Sequence, residues 1–394
     1  MSCLCSVMTK DLSVSEHAYA ALEAHFGPGT AAVVSVPGRV NLIGEHIDYH
    51  NLPVLPMAIE RRIAVAFRPR ADAQVRAFSS GAYGERSFHV TEAPEPGPPG
   101  DWANYLKASL DGVRSRWRIS RGLDAAISAD LPAAAGLSSS SALLVGFTLA
   151  LLEANGYHPG VEELMSVLPE AEQFVGTRGG AMDHAVVLGA KAGCALLVEF
   201  APLRLEAVPI PRDWSFLVAH SLTTAEKSGA IRAEYNLRRT AGTNALAKLG
   251  LASYREALAS ASLDLSPLDG AERRAFLHVT SEATRVTHAV EALRSADFDR
   301  FARVLNESHH SLRDHLRVST PSIDELVEAA RASGAAGARL TGAGFGGCVL
   351  MLVKTGEREN VRKQLIRTYY SSRANFHPEE HLFVAEAANG ALAS

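Results

Sequence analysis

The sequence predicts a globular protein that mixes helices with strands and divides into two halves. A chain of 394 residues is long enough for two hydrophobic cores, and its 47% hydrophobic and 21% charged residues give an ordinary globular balance. Short β-branched runs alternate with segments of helical periodicity. The proline-bounded stretch 202–211 separates two sets of elements, so we place one domain at 1–205 and the other at 206–394.

Composition narrows the classes of function. The formal net charge of −4 argues against a nucleic-acid partner held by bulk electrostatics, although a small phosphate site needs only local positive charge. The four cysteines, Cys3, Cys5, Cys194 and Cys348, include no C-x-x-C pair, so neither a disulfide framework nor a zinc site is indicated. We therefore expect a cytoplasmic setting, and the start MSCLCSVMTK lacks the long apolar run of a signal peptide.

Periodicity and turn residues predict the elements in order. Apolar residues three and four apart after serine caps predict a helix over 12–26. Another helix opens at Trp102, which is either a core residue or a stacking surface for a nucleotide base. In the stretch 339–353 a strongly apolar strand is predicted after Gly344, Gly346 and Gly347. Strands are also predicted at 33–36, 40–43, 63–67 and 123–129, and a second set of elements begins at 216–219. Helices are predicted at 161–175 and at two to four places between about 226 and 335.

The stretch from 131 to 152 organises the chain. No charged residue lies between Asp130 and Glu153, which suggests a membrane span, but Pro132, Gly136 and a run of four serines fill its first half. A loop of small residues that opens a buried helix is the better interpretation. Such a loop lets backbone N–H groups approach an anion, and phosphate fits. No lysine follows, so this is not a Walker A loop, and a serine-capped buried helix stays an equal alternative.

Two groups of polar residues are candidates for chemistry. Arg39, Glu45, His46 and Asp48 fall within ten residues of an otherwise apolar segment, so we expect their side chains to line one concave surface. The alternative is an ordinary solvated loop, since loops are polar anyway. Further along, glycines frame Asp183 in a turn that is expected to precede a strand. A carboxylate held there serves as a base, as a charge partner or as a helix N-cap.

Three separated motifs resemble one family. PGRVNLIGEHIDY (37–49) is similar to the galactokinase signature, while LPAAAGLSSSSA (131–142) and LTGAGFGGC (340–348) resemble the second and third motifs of the wider group of galactokinase, homoserine kinase, mevalonate kinase and phosphomevalonate kinase. Matches at WANYLK, GGAMD, EYNLRR and SHHSLRD extend the resemblance over nearly the whole chain. It implies an α+β fold with an N-terminal ribosomal-protein-like domain, a C-terminal ferredoxin-like domain and an active site in the cleft between them.

The resemblance also implies an activity and a role for each motif residue. The expected reaction is ATP- and Mg²⁺-dependent phosphorylation of the anomeric hydroxyl of a hexose by a monomeric enzyme with no membrane partner. Phosphoryl transfer needs an in-line hydroxyl and neutralised phosphate charge more than covalent help. By this resemblance Asp183 is the base and lies beside Arg39. The sugar is bound by Glu45, His46, Asp48, Gly180 and Tyr235, and the phosphates are bound by Gly136, Leu137, Ser138, Ser139, Ser140 and Ser141. Trp102 borders the adenine, and Mg²⁺ is bound by Ser140 with Glu172.

The motifs disagree about which sugar is bound. Ile47 stands where galactokinases usually carry threonine, and His184 stands where they carry glutamine. Ile47, the G-T-x-G-G-x-M-D pattern and the run LVEFAPLR (197–204) resemble the N-acetylgalactosamine kinase branch, whereas Tyr235 resembles the galactokinase version of its position. Galactose is therefore the first expectation, giving α-galactose 1-phosphate and ADP, and N-acetylgalactosamine is the second. A non-catalytic paralogue that senses sugar and ATP is a third class.

Overall fold

A computed structural model describes residues 13–79, 83–132, 135–176, 179–223 and 230–393. The prediction about a signal peptide lies outside these ranges, as do parts of the serine-loop motif and of the G-T-x-G-G pattern. The strands in these ranges are β1 (Ala32–Ile43), β2 (Leu55–Pro69), β3 (Gln74–Ser79), β4 (Gly84–His89), β5 (Leu123–Ala129), β6 (Cys194–Phe200), β7 (Leu203–Pro209), β8 (Trp214–His220), β9 (Gly337–Thr341), β10 (Cys348–Lys354) and β11 (Leu382–Ala385).

Helices account for much of the remaining chain. Short 3₁₀ turns include Glu172–Val175, and π-helical turns follow two of the α-helices. The α-helices of the described part are α1 (Val14–Phe26), α2 (Ala103–Arg114), α3 (Ser139–Ala154), α4 (Val161–Met165), α5 (Leu168–Ala171), α6 (Met182–Gly189), α7 (Ala230–Lys248), α8 (Tyr254–Ala259), α9 (Gly270–Ser295), α10 (Phe298–His310), α11 (Pro321–Ala332), α12 (Arg358–Leu365) and α13 (Pro378–His381).

The first half is built on a five-stranded sheet with strand order β1-β2-β5-β3-β4. β1 and β2 pair antiparallel, while β3 and β5 pair parallel. Side chains of β2 alternate between the two faces, as strand geometry requires. Ala64 and Ala66 pack with Leu22 of α1, whereas Val65 lies against Gly146 of α3. The sheet is therefore covered on both faces, and α3 carries the serine run at its N-terminus.

The second half contains a four-stranded antiparallel sheet with strand order β11-β8-β10-β9. Its two faces belong to different apolar clusters. Leu350 and Leu352 of β10 join the large core that extends into the first half, whereas Val349 and Met351 pack with α11 at Ile323. The two halves thus share buried surface, and the molecule has the α+β class that the sequence predicted.

Hydrogen bonds cross the limit between the halves at several places. The stretch expected to run between them forms a hairpin of β6 and β7, so the proposed limit between 205 and 206 falls inside β7. The chain end also returns to the first half, where the Ala388 N–H donates to the Ala58 carbonyl (3.0 Å) and the Leu392 N–H donates to the Leu188 carbonyl (3.0 Å). The assignment of 1–205 and 206–394 as two domains stays a proposal.

Several predicted elements are confirmed. α1 begins after Ser13, whose hydroxyl accepts from the Glu16 N–H (3.3 Å), and β5 covers the predicted strand. α2 begins after Trp102, and β10 follows the glycine-rich turn. Where the chain is described, no helix is both long enough and apolar enough to cross a membrane.

Other predicted elements are wrong for identifiable reasons. β1 continues through Pro37, because it is an edge strand where a missing N–H costs no ladder bond and the register shifts between Pro37 and Arg39. The helix predicted over 161–175 is divided, since Pro169 opens the separate helix α5. Five α-helices, α7 to α11, begin in the described part of the region where two to four were expected.

Candidate active site

A cleft between the two halves collects most of the predicted site residues. β1, the turn that follows it and the first turn of α6 supply one wall. α7 and the glycine-rich turn after β9 supply the other. The lining residues are Arg39, Glu45, His46, Asp48, Glu172, Gly179, Gly180, Met182, Asp183, Tyr235, Gly342 and Ala343.

Arg39 and Asp183 form a bidentate ion pair in this cleft. Arg39 Nε lies 2.7 Å from Asp183 Oδ1, and Nη2 lies 3.0 Å from Oδ2. Burial alone would lower the pKa of Arg39, but the charges of Asp183, Glu45 and Asp48 raise it above its usual value. The expectation that Asp183 lies in a turn before a strand is wrong: Asp183 lies in the first turn of α6, where the helix dipole favours a carboxylate.

The loop that opens α3 reaches the same ion pair. The Gly136 carbonyl accepts from Arg39 Nη1 (2.5 Å), the Leu137 carbonyl accepts from the Arg39 N–H (3.1 Å), and the Ser138 hydroxyl donates to Asp183 Oδ2. Ser138 has φ 60°, a left-handed conformation that is uncommon for serine and concentrates at functional sites. Ser138 is the N-cap residue of α3, but its side chain makes no capping hydrogen bond to the helix, and its hydroxyl donates to Asp183 instead. This contact argues against the alternative in which the serine only caps a buried helix.

The third motif packs directly on the serine loop. An added Cβ at Gly342 would lie 2.5 Å from the Gly136 carbonyl oxygen, and one at Gly347 would lie 2.9 Å from the Ala135 carbonyl oxygen. Both Gly342 and Gly347 also have positive φ, at 87° and 84°. Only glycine permits this approach of two backbones, so the glycine-rich turn shapes the loop.

The turn that carries His46 is held by hydrogen bonds. His46 Nε2 lies 3.0 Å from the Ala343 carbonyl oxygen, and Nδ1 lies 3.0 Å from the Tyr49 hydroxyl. Because a carbonyl only accepts, Nε2 carries the proton and Nδ1 accepts from Tyr49. Burial lowers the pKa of His46 to about 3, so the ring is neutral. Both nitrogens have partners inside the protein, and His46 presents its ring to the cleft.

Asp48 lies directly against Gly180. An added Cβ at Gly180 would lie 2.0 Å from Asp48 Oδ2, so a larger residue would displace this carboxyl. Burial, and then the charge of Asp183, raises the pKa of Asp48 to about 7, although N–H donors from Tyr49 and Met182 oppose the rise. Near neutral pH the carboxyl is therefore partly protonated, and it can both donate to and accept from a hydroxyl.

Glu172 and the start of α3 form a candidate cation site. Glu172 Oε1 accepts from the Ser141 hydroxyl (3.2 Å), and Oε2 lies 3.6 Å from His184 Nε2. Ser140 interacts with Tyr105, where it opposes the rise that burial causes in the pKa of the Tyr105 hydroxyl. Mg²⁺ takes one or two carboxylates and completes its shell with phosphate oxygens and water, which suits this donor set. In the described ranges no three His, Cys, Asp or Glu side chains are grouped to hold a metal by themselves.

The remaining predicted residues divide between the cleft and the core. The Tyr235 ring lies 5.1 Å from the His46 ring, and burial raises the pKa of the Tyr235 hydroxyl so far that it stays protonated. Trp102 is 8% exposed, and its indole N–H donates to the Tyr83 carbonyl (3.2 Å). It packs into the core at the start of α2. The contact of Trp102 with adenine stays a prediction.

Sequence reasoning missed the residues that support the cleft from behind. Arg339 is fully buried, donates to the Leu42 carbonyl (2.7 Å) and lies 3.4 Å from Glu45 Oε1. Glu282 of α9, equally buried, accepts from the Gly44 N–H (3.0 Å). Arg339 adjoins the glycine-rich motif, and that adjacency was the available signal. Glu282 lies in an ordinary helical pattern, which offered none.

Known families match the segments that build the cleft. The galactokinase galactose-binding signature matches residues 20–69, which hold Arg39 and the turn after it. The N-terminal domain of the GHMP kinases matches 104–190, which holds the serine loop and Asp183. The C-terminal domain of the GHMP kinases matches 289–371, which holds the glycine-rich turn. Fold and site together therefore define a kinase of the GHMP group, which comprises the galactokinases, homoserine kinases, mevalonate kinases and phosphomevalonate kinases.

Individual relatives narrow this class. Galactokinase from Roseiflexus sp. is 35% identical over 378 residues, covering 93% of this chain and 94% of the relative. Galactokinase from Chloroflexus aurantiacus is 39% identical over 345 residues, covering 85% and 87%. The crystal structure of Lactococcus lactis galactokinase complexed with galactose has a TM-score of 0.86 at 26% identity and covers 94% of this chain and 97% of that one. The chain belongs to the galactokinase family.

Proposed function

We propose that this chain transfers the γ-phosphoryl group of ATP to the anomeric hydroxyl of galactose, giving α-galactose 1-phosphate and ADP. The observation that carries the proposal is the shared contact of Arg39 and Ser138 with Asp183. Through this contact the residues expected to bind the sugar and the loop expected to bind phosphate meet at one carboxylate, that of Asp183. Membership of the galactokinase family agrees with this substrate, and the Lactococcus lactis relative was crystallised with galactose.

The reaction requires the C1 hydroxyl oxygen to bond to the γ-phosphorus while the bond to the β–γ bridging oxygen breaks. Asp183 would accept or orient the hydroxyl proton, and Arg39 would fix that carboxylate and offset charge on the transferred group. Backbone N–H groups of the Gly136–Ser141 loop would bind phosphate at the α3 N-terminus. Glu172 and Ser140 would hold Mg²⁺, which neutralises phosphate charge when it is bound.

We also propose that the enzyme works as a monomer in the cytoplasm, without nucleic-acid or membrane partners. In the described part of the chain Cys194 and Cys348 are both free thiols, which suits a reducing compartment. The net charge of −4 gives no bulk attraction to a polyanion.

A coupled ADP-release assay with ATP, Mg²⁺ and a panel of hexoses tests the proposal. We expect the highest kcat/KM with galactose and a smaller value with N-acetylgalactosamine, and phosphorus NMR of the product should show an α-1-phosphate. Galactose binding in a calorimeter without ADP release would instead identify the non-catalytic sensor. Turnover confined to another hexose would overturn the sugar assignment.

A further inference from the structure

Side chains of α9, in the second half, hold the backbone of the turn that faces the sugar. Glu282 Oε1 accepts from the Gly44 N–H (3.0 Å) and from the Glu45 N–H (3.3 Å). His278 Nε2 lies 3.0 Å from the Glu45 carbonyl oxygen and, since a carbonyl only accepts, donates to it. His278 and Glu282 are one helical turn apart, so one face of α9 hydrogen-bonds the peptide units on both sides of Glu45.

Glu282 is itself supported in a fully buried position. Ser308 of α10 donates to Oε1 (2.8 Å), and Arg285 Nε donates to Oε2 (2.8 Å). Burial alone would raise the pKa of Glu282, but the charge of Arg285 leads the effects that lower it to about 2, so the carboxylate is ionised. Hydrogen bonds to an ionised acceptor are about twice as strong as neutral ones. The backbone of the turn is therefore held by a charged acceptor whose own position is fixed.

The backbone of the turn packs closely against its neighbours. Gly44 has φ 101°, and an added Cβ would lie 3.0 Å from Val54 Cα and 3.1 Å from Val286 Cγ2 of α9. The Glu45 carboxylate is fixed at its other end, where Oε1 accepts from the Gly342 N–H (2.6 Å). The direction in which Glu45 and the next residues point thus depends on contacts behind the turn as well as in the cleft.

We propose that Glu282 is a positioning residue for the sugar, which holds the Gly44–Glu45 peptide so that the side chains after it meet the sugar hydroxyls. The inference rests on the proposed function of the cleft. The Glu282 carboxylate contacts the backbone of the sugar-facing turn, so its loss is expected to weaken sugar binding much more than nucleotide binding.

Glu282→Gln tests this role. The amide keeps the shape of the side chain but turns an N–H₂ group towards a donor, so either the turn or Arg285 loses its acceptor. We expect the KM for galactose to rise at least about tenfold, equivalent to about 1.4 kcal/mol, and the KM for ATP to change less than about twofold. Amide hydrogen exchange in residues 41–47 should accelerate, and this readout needs no sugar.

Two further variants complete the design. Ser308→Ala removes one donor to Glu282 without leaving a charge unpaired, so it keeps the proposal testable if Glu282→Gln does not fold; galactose KM should rise about two- to fivefold. Glu272→Gln is the matched control on α9, since Glu272 is 4% exposed and pairs with Lys248 (2.7 Å) away from the turn. It should lower the melting temperature and leave galactose KM unchanged.

The outcomes separate the two proposals. Unchanged galactose KM and unchanged exchange in Glu282→Gln overturn the positioning role. Equal acceleration of exchange in Glu272→Gln also overturns it, because the effect would then be a general loss of stability. If the unaltered protein neither binds nor phosphorylates galactose, the proposed function fails, while exchange in residues 41–47 still decides whether Glu282 holds the turn.

Discussion

The part of the cleft formed by Arg39, Glu45, His46 and Asp48, here the sugar wall, presents buried charged and polar side chains. The part formed by the Gly136–Ser141 loop and the glycine-rich turn, here the phosphate wall, presents backbone from turns of small residues. On the sugar wall Arg39 and Asp48 are both buried, and the groups that surround them are charged or polar. On the phosphate wall, Gly136 and Ser138 have positive φ, and Gly347 lies against the loop. A substitution should therefore act through chemical identity on the sugar wall and through backbone shape on the phosphate wall.

The largest expected effect is at the carboxylate where the two walls meet. Asp183→Asn removes the charge that pairs with Arg39 and the acceptor for the hydroxyl proton. We expect kcat to fall by at least about a hundredfold while galactose binding persists. Steady-state kinetics and calorimetry on the same preparation measure the two quantities. Near-normal turnover would show that Asp183 has no part in proton transfer.

The chemical roles of these residues could be predicted from the sequence, because residue type and the spacing within a motif are local properties of the chain. Arg39 and Asp183 stand 144 residues apart, and their motifs predicted a shared role. Their geometry was not predictable in the same way: Asp183 proved helical, and both His46 nitrogens proved to be engaged inside the protein.

The supporting residues show where local information ends. A glutamate in a helical pattern is usually on the surface, so nothing near Glu282 in the sequence indicates that it is buried against the sugar turn. Burial of Arg339 likewise follows from the packing of β9 behind β1. Such roles depend on contacts between segments that are distant in the sequence, and the hydrophobic periodicity of one segment does not indicate these contacts.

The next effect concerns the charge on the sugar wall. Asp48 has a pKa of about 7 in the folded protein against an ordinary value of 3.8, so between these values the folded state binds more protons and its stability falls as pH rises. Asparagine does not titrate, so the free energy of unfolding of Asp48→Asn should rise relative to that of the unaltered protein by about 1–3 kcal/mol as the pH goes from about 5 to about 8.

Urea unfolding at both pH values measures this gain. Asp299→Asn, at an exposed position, is the matched control and should follow the unaltered protein. A stability difference that does not change with pH would show that Asp48 titrates normally. Galactose binding by Asp48→Asn should also weaken, which separates this variant from the control.

Gly347→Ala addresses the phosphate wall alone. The added Cβ would lie 2.9 Å from the Ala135 carbonyl oxygen at a φ of 84°, so the loop must move. We expect the KM for ATP to rise about tenfold, within the range for overpacking, while galactose KM stays within about twofold. Gly356→Ala is the control, since a Cβ there meets nothing within 4 Å. Equal changes in both KM values would mean that the walls are not separable.

Ser140→Ala tests a side chain on the wall that is otherwise built from backbone. The variant should raise the Mg²⁺ and ATP requirements about fivefold, as expected for one lost hydroxyl contact. Alanine is well tolerated in the first turn of α3, so the melting temperature should change little. Activity titrated against Mg²⁺ decides the role. An unchanged Mg²⁺ dependence would restrict Ser140 to its contact with Tyr105.

The smallest expected effect concerns the choice of sugar, on which the motifs disagree. Galactose and N-acetylgalactosamine differ only at C2, a hydroxyl against an acetamido group, so selectivity must come from the residues that border that carbon. The Gly179–Gly180 turn and Tyr235 both line the cleft, and Tyr235 contributes a ring and a protonated hydroxyl.

We expect the unaltered protein to act on both sugars with galactose ahead. Tyr235→Phe should shift the ratio of the two kcat/KM values towards N-acetylgalactosamine by about two- to fivefold, because removing one hydroxyl from a pocket wall changes specificity by roughly 1 kcal/mol. Both ratios are measured in the unaltered protein and in the variant, with ATP saturating. An unchanged ratio removes Tyr235 as the selector and leaves the turn at Gly180, which packs against Asp48.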